Sequence, residues 1–342
     1  MKSEPQAVQT VLRSDEPKTA RSVFRSDAMQ RFMAFGALIV LFIGFSIASP
    51  FFRTFDNFVG ILLATAVNGV LALGVTFVII TAGIDLSVGT VMTFSAVMTA
   101  VFITNWGLPL PIGILGGVLA GTLAGFVNGT VISRMKIPPF IATLGMLNIA
   151  RGLALVISDL HPIYFNDTPA FREMAMGSVL GKIIPGFEVP NAVFIMFGAA
   201  IVAHLILSRT ILGRYTFALG SNEEATRLSG VNTAFWKTAV YTIGGFFSGV
   251  AGVLIASRLN SAQPALGFGY ELDAIAAVVI GGTSLSGGEG SILGTIIGAF
   301  IMSTLTNGLR ILSVPQEWQI VVTGGIVILA VFLDILRRRQ QS

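Results

Sequence analysis

Long apolar runs alternate with short polar joints along the chain, and the length of the runs is the first clue to its fold. A helix needs about 20 apolar residues to cross a bilayer core. Ten runs come near that length, at 32–49, 58–82, 88–104, 110–133, 137–158, 191–207, 237–257, 272–286, 291–311 and 317–336. Several of them are short or interrupted by glycine. The alternation of about ten residues between turns that marks a membrane barrel is missing from the pattern. The expected fold is therefore an all-α polytopic membrane protein with about ten transmembrane helices. Residues 1–31 are polar and read as a tail, disordered or lying on a surface. The first apolar run exceeds the usual core of a cleaved signal peptide and more spans follow it, so it reads as a retained helix.

Composition agrees. The chain of 342 residues is 54% hydrophobic and 11% charged, against about 25% charged for a soluble domain. It lacks the charge to cover a water-facing surface, so lipid must cover much of it. Its 39 glycines suit membrane helices, where small residues let backbones approach closely. The absence of cysteine excludes a disulfide framework, a thiolate metal site and a Cys nucleophile. The net charge of +4 is no nucleic-acid signal, because most basic residues flank apolar runs. With ten spans and an inside N-terminus, inside segments hold 15 of the 21 Lys and Arg, and outside segments hold 5. Cytoplasmic loops carry such an excess, so both termini, the basic end 337–342 and the polar segment 208–236 are expected in the cytoplasm, with 159–190 outside.

Three polar stretches stand out. Gly83-Ile84-Asp85-Leu86-Ser87-Val88-Gly89 joins two apolar runs with hardly any linker. Two glycines and a carboxylate there suggest a helix broken at membrane depth, tolerated only where it faces protein or a wet pathway. Asp85 is either a functional group, since an ionisable side chain at that depth is costly, or the N-cap of the next helix, or both. In the second stretch, Gly281 to Gly290, the positions of Gly282, Leu285, Ser286 and Gly288 repeat the spacing of Gly83, Leu86, Ser87 and Gly89. Paired Gly-rich breaks in two halves of a transporter point to a pathway; coincidence in a Gly-rich chain is the plainer account. The third stretch runs from Gly213 to Gly230. Asn222 can cap a short helix with Glu223 and Glu224 in its first turn, and Gly230 can end it. Such an amphipathic helix is an interaction element; a solvated connecting loop is the simpler alternative.

These stretches, together with Ile137-Pro138-Pro139-Phe140-Ile141-Ala142-Thr143-Leu144-Gly145 and with Gly294-Thr295 and Gly298-Ala299, resemble the hallmarks of ribose-type permease subunits of ABC importers, in the branched-chain amino acid/ribose permease superfamily. The resemblance runs from about residue 35 to residue 336. The chain departs from it at Thr226, where many relatives have Ala. The resemblance implies about ten helices in two related halves within residues 32–336, in a bacterial inner membrane. It also implies two permease copies around a central pathway, a separate ATPase that binds ATP, and an extracytoplasmic sugar-binding protein. The Gly213–Gly230 stretch would couple to the ATPase through Gly213, Arg214, Gly220, Asn222, Glu223, Glu224, Ala225, Arg227, Leu228 and Gly230. Candidate pathway residues are Asp85, Ser87, Thr283 and Ser286, with Asn68, Asn128 and Asn307 suited either to sugar hydroxyls or to interhelical hydrogen bonds. Arg151 either faces the pathway or snorkels to the outer interface.

No Walker A loop is present to cradle nucleotide phosphates, so energy must come from another chain. An ion-coupled secondary transporter would explain Asp85 and the repeated breaks equally well, but not the short cytoplasmic helix. An intramembrane enzyme would need a catalytic dyad or metal cluster, which one isolated Asp and two scattered His do not supply.

Overall fold

The computed structural model describes residues 20–339. Part of the expected tail, residues 1–19, and the last three residues, 340–342, lie outside that range. In chain order the helices are α1 (Ala20–Ala48), α2 (Phe55–Ile80), α3 (Val88–Ala100, continued by a wider π-type turn to Asn105), α4 (Leu110–Arg134) and α5 (Pro139–Ile157). A two-residue strand β1 (Ile163–Tyr164) follows, then α6 (Pro169–Met176), α7 (Val179–Ile183), α8 (Asn191–Arg209), α9 (Ile211–Ser221), α10 (Glu223–Leu228) and α11 (Thr233–Leu259). Strand β2 (Ser261–Ala262), α12 (Tyr270–Ile280), α13 (Ile292–Ile311) and α14 (Gln316–Arg339) complete the fold.

Local chemistry sets many of the helix starts. The side chains of Thr54, Asn232 and Ser291 accept from the backbone N–H groups of Asn57, Phe235 and Gly294 at 3.3, 3.0 and 3.1 Å, satisfying donors that a first helical turn leaves unpaired. Prolines in the first turn open α4 and α5, where a missing N–H costs nothing.

Eight helices among the described residues are long and apolar enough to cross a membrane, and α1 adds a shorter apolar portion, Phe32–Ala48. Two expectations change. Residues 20–31, read as part of a tail, belong to α1. The run 272–286, read as a span, is helical only from Tyr270 to Ile280. At 1.5 Å per residue such a helix covers roughly 16 Å, about half a bilayer core. The apolar run hid this because it continues past the end of the helix into a Gly-rich break.

The centre of the molecule is α2, buried along most of its length, with α8, α11, α12 and α13 packed around it. The tightest pairing joins α4 to α11. On one face of α4, glycines recur every fourth residue. A Cβ on Gly121 would lie 2.7 Å from the Gly245 carbonyl oxygen, and one on Gly125 would lie 2.8 Å from Gly245 Cα and collide with the Tyr241 carbonyl oxygen. The opposite face of α4 exposes Leu115, Leu119, Leu123 and Phe126. The helix thus turns its small residues inward and its large ones outward, the arrangement expected when lipid is the solvent.

One end of the bundle is closed by the 159–190 segment. Strand β1 pairs antiparallel with β2, with Ile163 opposite Ala262 and Tyr164 opposite Ser261. Helix α6 is pinned by Ser257, whose Oγ donates to the Phe171 carbonyl at 2.5 Å and accepts from Ala175 N–H at 3.1 Å. From β2 an irregular segment dips along α3: Thr93 Oγ1 donates to the Leu266 carbonyl at 2.6 Å, and a Cβ on Gly89 would collide with the Gly267 carbonyl oxygen. Helix α12 starts from this segment. The opposite end of the bundle carries α9, α10 and the two breaks.

Candidate functional site

Helices α2 and α12 end in the same way. After α2, Ala82 N–H donates to Ile79 O at 2.9 Å and Gly83 N–H to Val78 O at 3.1 Å; after α12, Gly282 N–H donates to Val279 O at 2.9 Å and Thr283 N–H to Val278 O at 3.1 Å. Both are Schellman caps, which need a left-handed residue: Ala82 at φ 57° in one and Gly282 at φ 93° in the other. In structure Ala82 therefore matches Gly282, whereas the sequence spacing paired Gly83 with it. The match drifts further downstream, because Ser87 immediately precedes α3 while the residue preceding α13 is Ser291, not Ser286.

The seven pathway candidates separate into three groups. Asp85 is 2% exposed. Its Oδ1 accepts from Ser87 N–H at 2.8 Å and Ser87 Oγ at 2.6 Å, and Ser87 Oγ accepts from Asn128 Nδ2 of α4 at 2.9 Å. Asp85 thus satisfies a donor at the start of α3 and ties the first break to α4. On α5, Thr143 donates mainly to Pro139 O at 2.9 Å and approaches Ile84 O at 3.3 Å. In the second break, Thr283 is fully buried with no partner for its hydroxyl among the described residues, while Ser286 is exposed. Neighbouring Ser284 donates to Asp334 of α14 at 3.3 Å. Asn68 and Asn307 are half-buried along α2 and α13, each roughly 18 Å or more along its helix from the nearer break by helical rise, and the Asn307 side-chain oxygen is buried without a partner among the described residues.

Some polar groups escaped the sequence reading. The buried Tyr241 hydroxyl of α11 has no hydrogen-bond partner among the described residues and lies 2.5 Å from where a Cβ on Gly83 would stand. Buried Glu271, in the first turn of α12, accepts from Gly269 N–H at 3.1 Å. The signal was present as Gly267 and Gly269 ahead of Glu271 and Asp273, at the edge of a run that looked like an ordinary span. Arg151 is exposed, with its guanidinium 5.7 Å from the centre of the Phe268 ring, a cation–π geometry.

The segment 208–236 holds two helices where the sequence suggested one. Gly213 makes the tight corner from α8 into α9, since a Cβ there would collide with the Leu207 carbonyl oxygen. Arg214 is exposed on α9. Asn222 Oδ1 caps α10 by accepting from Ala225 N–H at 2.9 Å, and Gly230 follows with φ 83°. Glu223 pairs with Lys237 of α11 at 2.7 Å, and Glu224 pairs with Arg227 at 2.5 Å. The hydrogen bond and charge of Arg227 hold the Glu224 carboxyl below its ordinary range. Thr226, the departure noted in the sequence, is buried, and its hydroxyl donates to Ala218 O of α9 at 3.0 Å. Ala225 is exposed and Leu228 is 75% exposed. Helix α10 therefore faces its own molecule with Thr226 and presents an apolar tip outward.

Comparison with known proteins adds independent information. Residues 57–331 match the family model described as branched-chain amino acid transport system / permease component. The chain is 44% identical to the ribose import permease protein of Bacillus subtilis, covering 90% of this chain and 93% of the relative. It is 41% identical to the ribose import permease protein of Escherichia coli K12, covering 87% and 91%. It is 39% identical to the L-arabinose transport system permease protein of the same organism, covering 89% and 91%. No solved structure matches.

Proposed function

Because the chain belongs to the branched-chain amino acid transport system / permease component family, we propose that it is the membrane-spanning permease of an ATP-driven, binding-protein-dependent sugar importer. The observation that carries this reading is likeness over nearly the whole chain to permeases named for ribose and arabinose. It is a transport subunit, not an enzyme, and a multi-pass protein of the bacterial inner membrane. An ATPase subunit that binds ATP and a substrate-binding protein are its partners. The relatives lend no support to ion-coupled secondary transport.

The finer reading follows from the residues. Ribose or a similar monosaccharide is the cargo, and a second permease copy completes the pathway. The bundle end bearing α9 and α10 faces the cytoplasm, and the 159–190 segment faces outward, as the bias of basic residues favours. Single cysteines at Asp167 and Glu224 test this, since the chain has no cysteine background. A membrane-impermeant maleimide applied to intact spheroplasts should label position 167 alone; labelling of position 224 would invert the topology.

Within the bundle, Asp85, Ser87 and Asn128 brace the first break, and Thr283 and Ser286 belong to the second. Asn68 and Asn307 are the candidates for contact with sugar hydroxyls along the pathway. A strain deleted for this chain should lose uptake of radiolabelled ribose and regain it with the wild-type protein. Asp85→Ala removes the acceptor of two hydrogen bonds and leaves Ser87 underpaired in a buried site, a loss of about 1–3 kcal/mol. Its uptake should fall more than its membrane level does. An Asp85→Ala protein that is abundant and transports normally would reduce Asp85 to a dispensable cap. Failure of the wild-type chain to restore uptake of any pentose or hexose would contradict the sugar-permease reading.

A further inference from the structure

Helix α9 holds the residue on which both breaks meet. Thr226 Oγ1 and Asn222 N–H both donate to the Ala218 carbonyl at 3.0 Å, so α10 is tied to the C-terminal turn of α9. In that same turn stands Gly220. A Cβ there would collide with the Ile80 carbonyl oxygen and lie 2.5 Å from Gly288 N. Those two groups are bonded to each other: Gly288 N–H donates to Ile80 O at 2.9 Å. Ile80 is the last residue of α2, and Gly288 lies between α12 and α13. The junction closes through Gly287, where a Cβ would lie 2.8 Å from Gly220 O and 2.9 Å from Ala82 N. The Gly288–Ile80 hydrogen bond thus joins the breaks of the two halves, and α9 rests on it at Gly220 without a side chain between.

The segment bearing α9 and α10 is continuous in the chain only with α8 and α11. Helices α2, α12 and α13 reach it through contacts alone. We propose that Gly220 is a positioning residue that makes α9, α10 and both breaks one mechanical unit. Displacement of α10 by the ATPase then reaches α2, α12 and α13 through the Ile80–Gly288 junction, and not only through the attached spans. Close-packed backbone transmits a small displacement, because it has no space in which to absorb one. This inference rests on the reading of α10 as the ATPase contact.

The test uses the assembled transporter. Gly220→Ala places a methyl group on the junction while leaving the outward face of α10 unchanged. The ATPase should still co-purify and hydrolyse ATP, while sugar moved per ATP falls about tenfold or more, within the usual range of coupling energies. Normal transport would overturn the proposal. Loss of ATPase binding would also overturn it, by making Gly220 part of the docking surface. Should Gly220→Ala accumulate poorly, a second measurement decides. Ser221 and Ser286 are both exposed, and Ser221 Oγ lies 3.0 Å from where a Cβ on Gly288 would stand, so a short bismaleimide should bridge Ser221→Cys with Ser286→Cys. Segments that move as one body should tolerate the bridge, with transport retained. Loss of transport on bridging would overturn the proposal, as would failure of the pair to bridge. The docking role of α10 fails separately, through Leu228→Arg, if that variant binds and stimulates the ATPase normally.

Discussion

Gly125→Leu is expected to abolish accumulation of the folded protein, while Gly152→Leu is tolerated. A Cβ on Gly125 would collide with the Tyr241 carbonyl oxygen and stand 2.8 Å from Gly245 Cα, whereas one on Gly152 meets nothing within 4 Å. The obstacle at Gly125 is backbone, which cannot swing aside as a side chain tip can. The new side chain forces α4 from α11 along the closest pairing in the bundle. Overpacking of this kind costs typically 1–3 kcal/mol in soluble cores, and more is expected here because two helices must part. Separation would also strip the close backbone contacts that stand in for the hydrophobic effect between helices in lipid. Membrane levels and the melting temperature in mild detergent provide the readout. Equal levels for the two variants would contradict the packing described for α4 and α11.

Leu228→Arg should have an equally large effect of a different kind. Leu228 is 75% exposed, so its replacement removes little packing within the chain, and the variant should accumulate and melt as the wild type does. Its effect should appear only with the partner. An amphipathic helix seated in a groove is a recurring mode of recognition, and burying an unpaired guanidinium in such a groove costs about 2–5 kcal/mol. That corresponds to a loss of about thirtyfold or more in affinity. The ATPase should no longer co-purify, or sugar delivery should no longer stimulate hydrolysis. A purified Leu228→Arg complex with normal assembly and normal stimulated hydrolysis would refute the docking role. Of the ion pairs on either side, Glu224 with Arg227 is exposed and worth little to the isolated chain, while Glu223 reaches the half-buried Lys237 of α11; both would border the proposed contact.

Much of this architecture was legible in the sequence because hydrophobic length is a strong signal in membranes. The ends of α4, α5 and α13 fall within two residues of the apolar runs, as do those of α3 once its π-type turn to Asn105 is counted. Legibility failed where one physical cause imitated another. The run 272–286 is apolar and buried from residue 274 to residue 279, and apolarity does not tell a half-helix from a whole one. The matched glycines of the two breaks marked the right places but the wrong register, since a Schellman cap accepts Ala82 as well as Gly282 at its left-handed position. The four-residue glycine spacing of α4 was in plain view, yet it names a packing face only when the partner helix is known. Helix α9 was hidden because Gly213 and Gly220, which weaken helix propensity, are there for close contacts with other segments. Among the site residues, the cap at Asn222 and the turn at Gly230 could be read from local chemistry. The burial of Asp85 against Ser87 and Asn128 could not, because it depends on where α4 lies.

The central claim is that this chain moves sugar with energy from a separate ATPase, and reconstitution tests it most directly. Proteoliposomes would hold the chain with its ATPase, with ATP enclosed and ribose-loaded binding protein outside. Ribose should accumulate only when ATP and binding protein are both present, and ionophores that collapse proton and sodium gradients should leave the rate unchanged. Uptake that proceeds without ATP and stops with the ionophores would contradict the account.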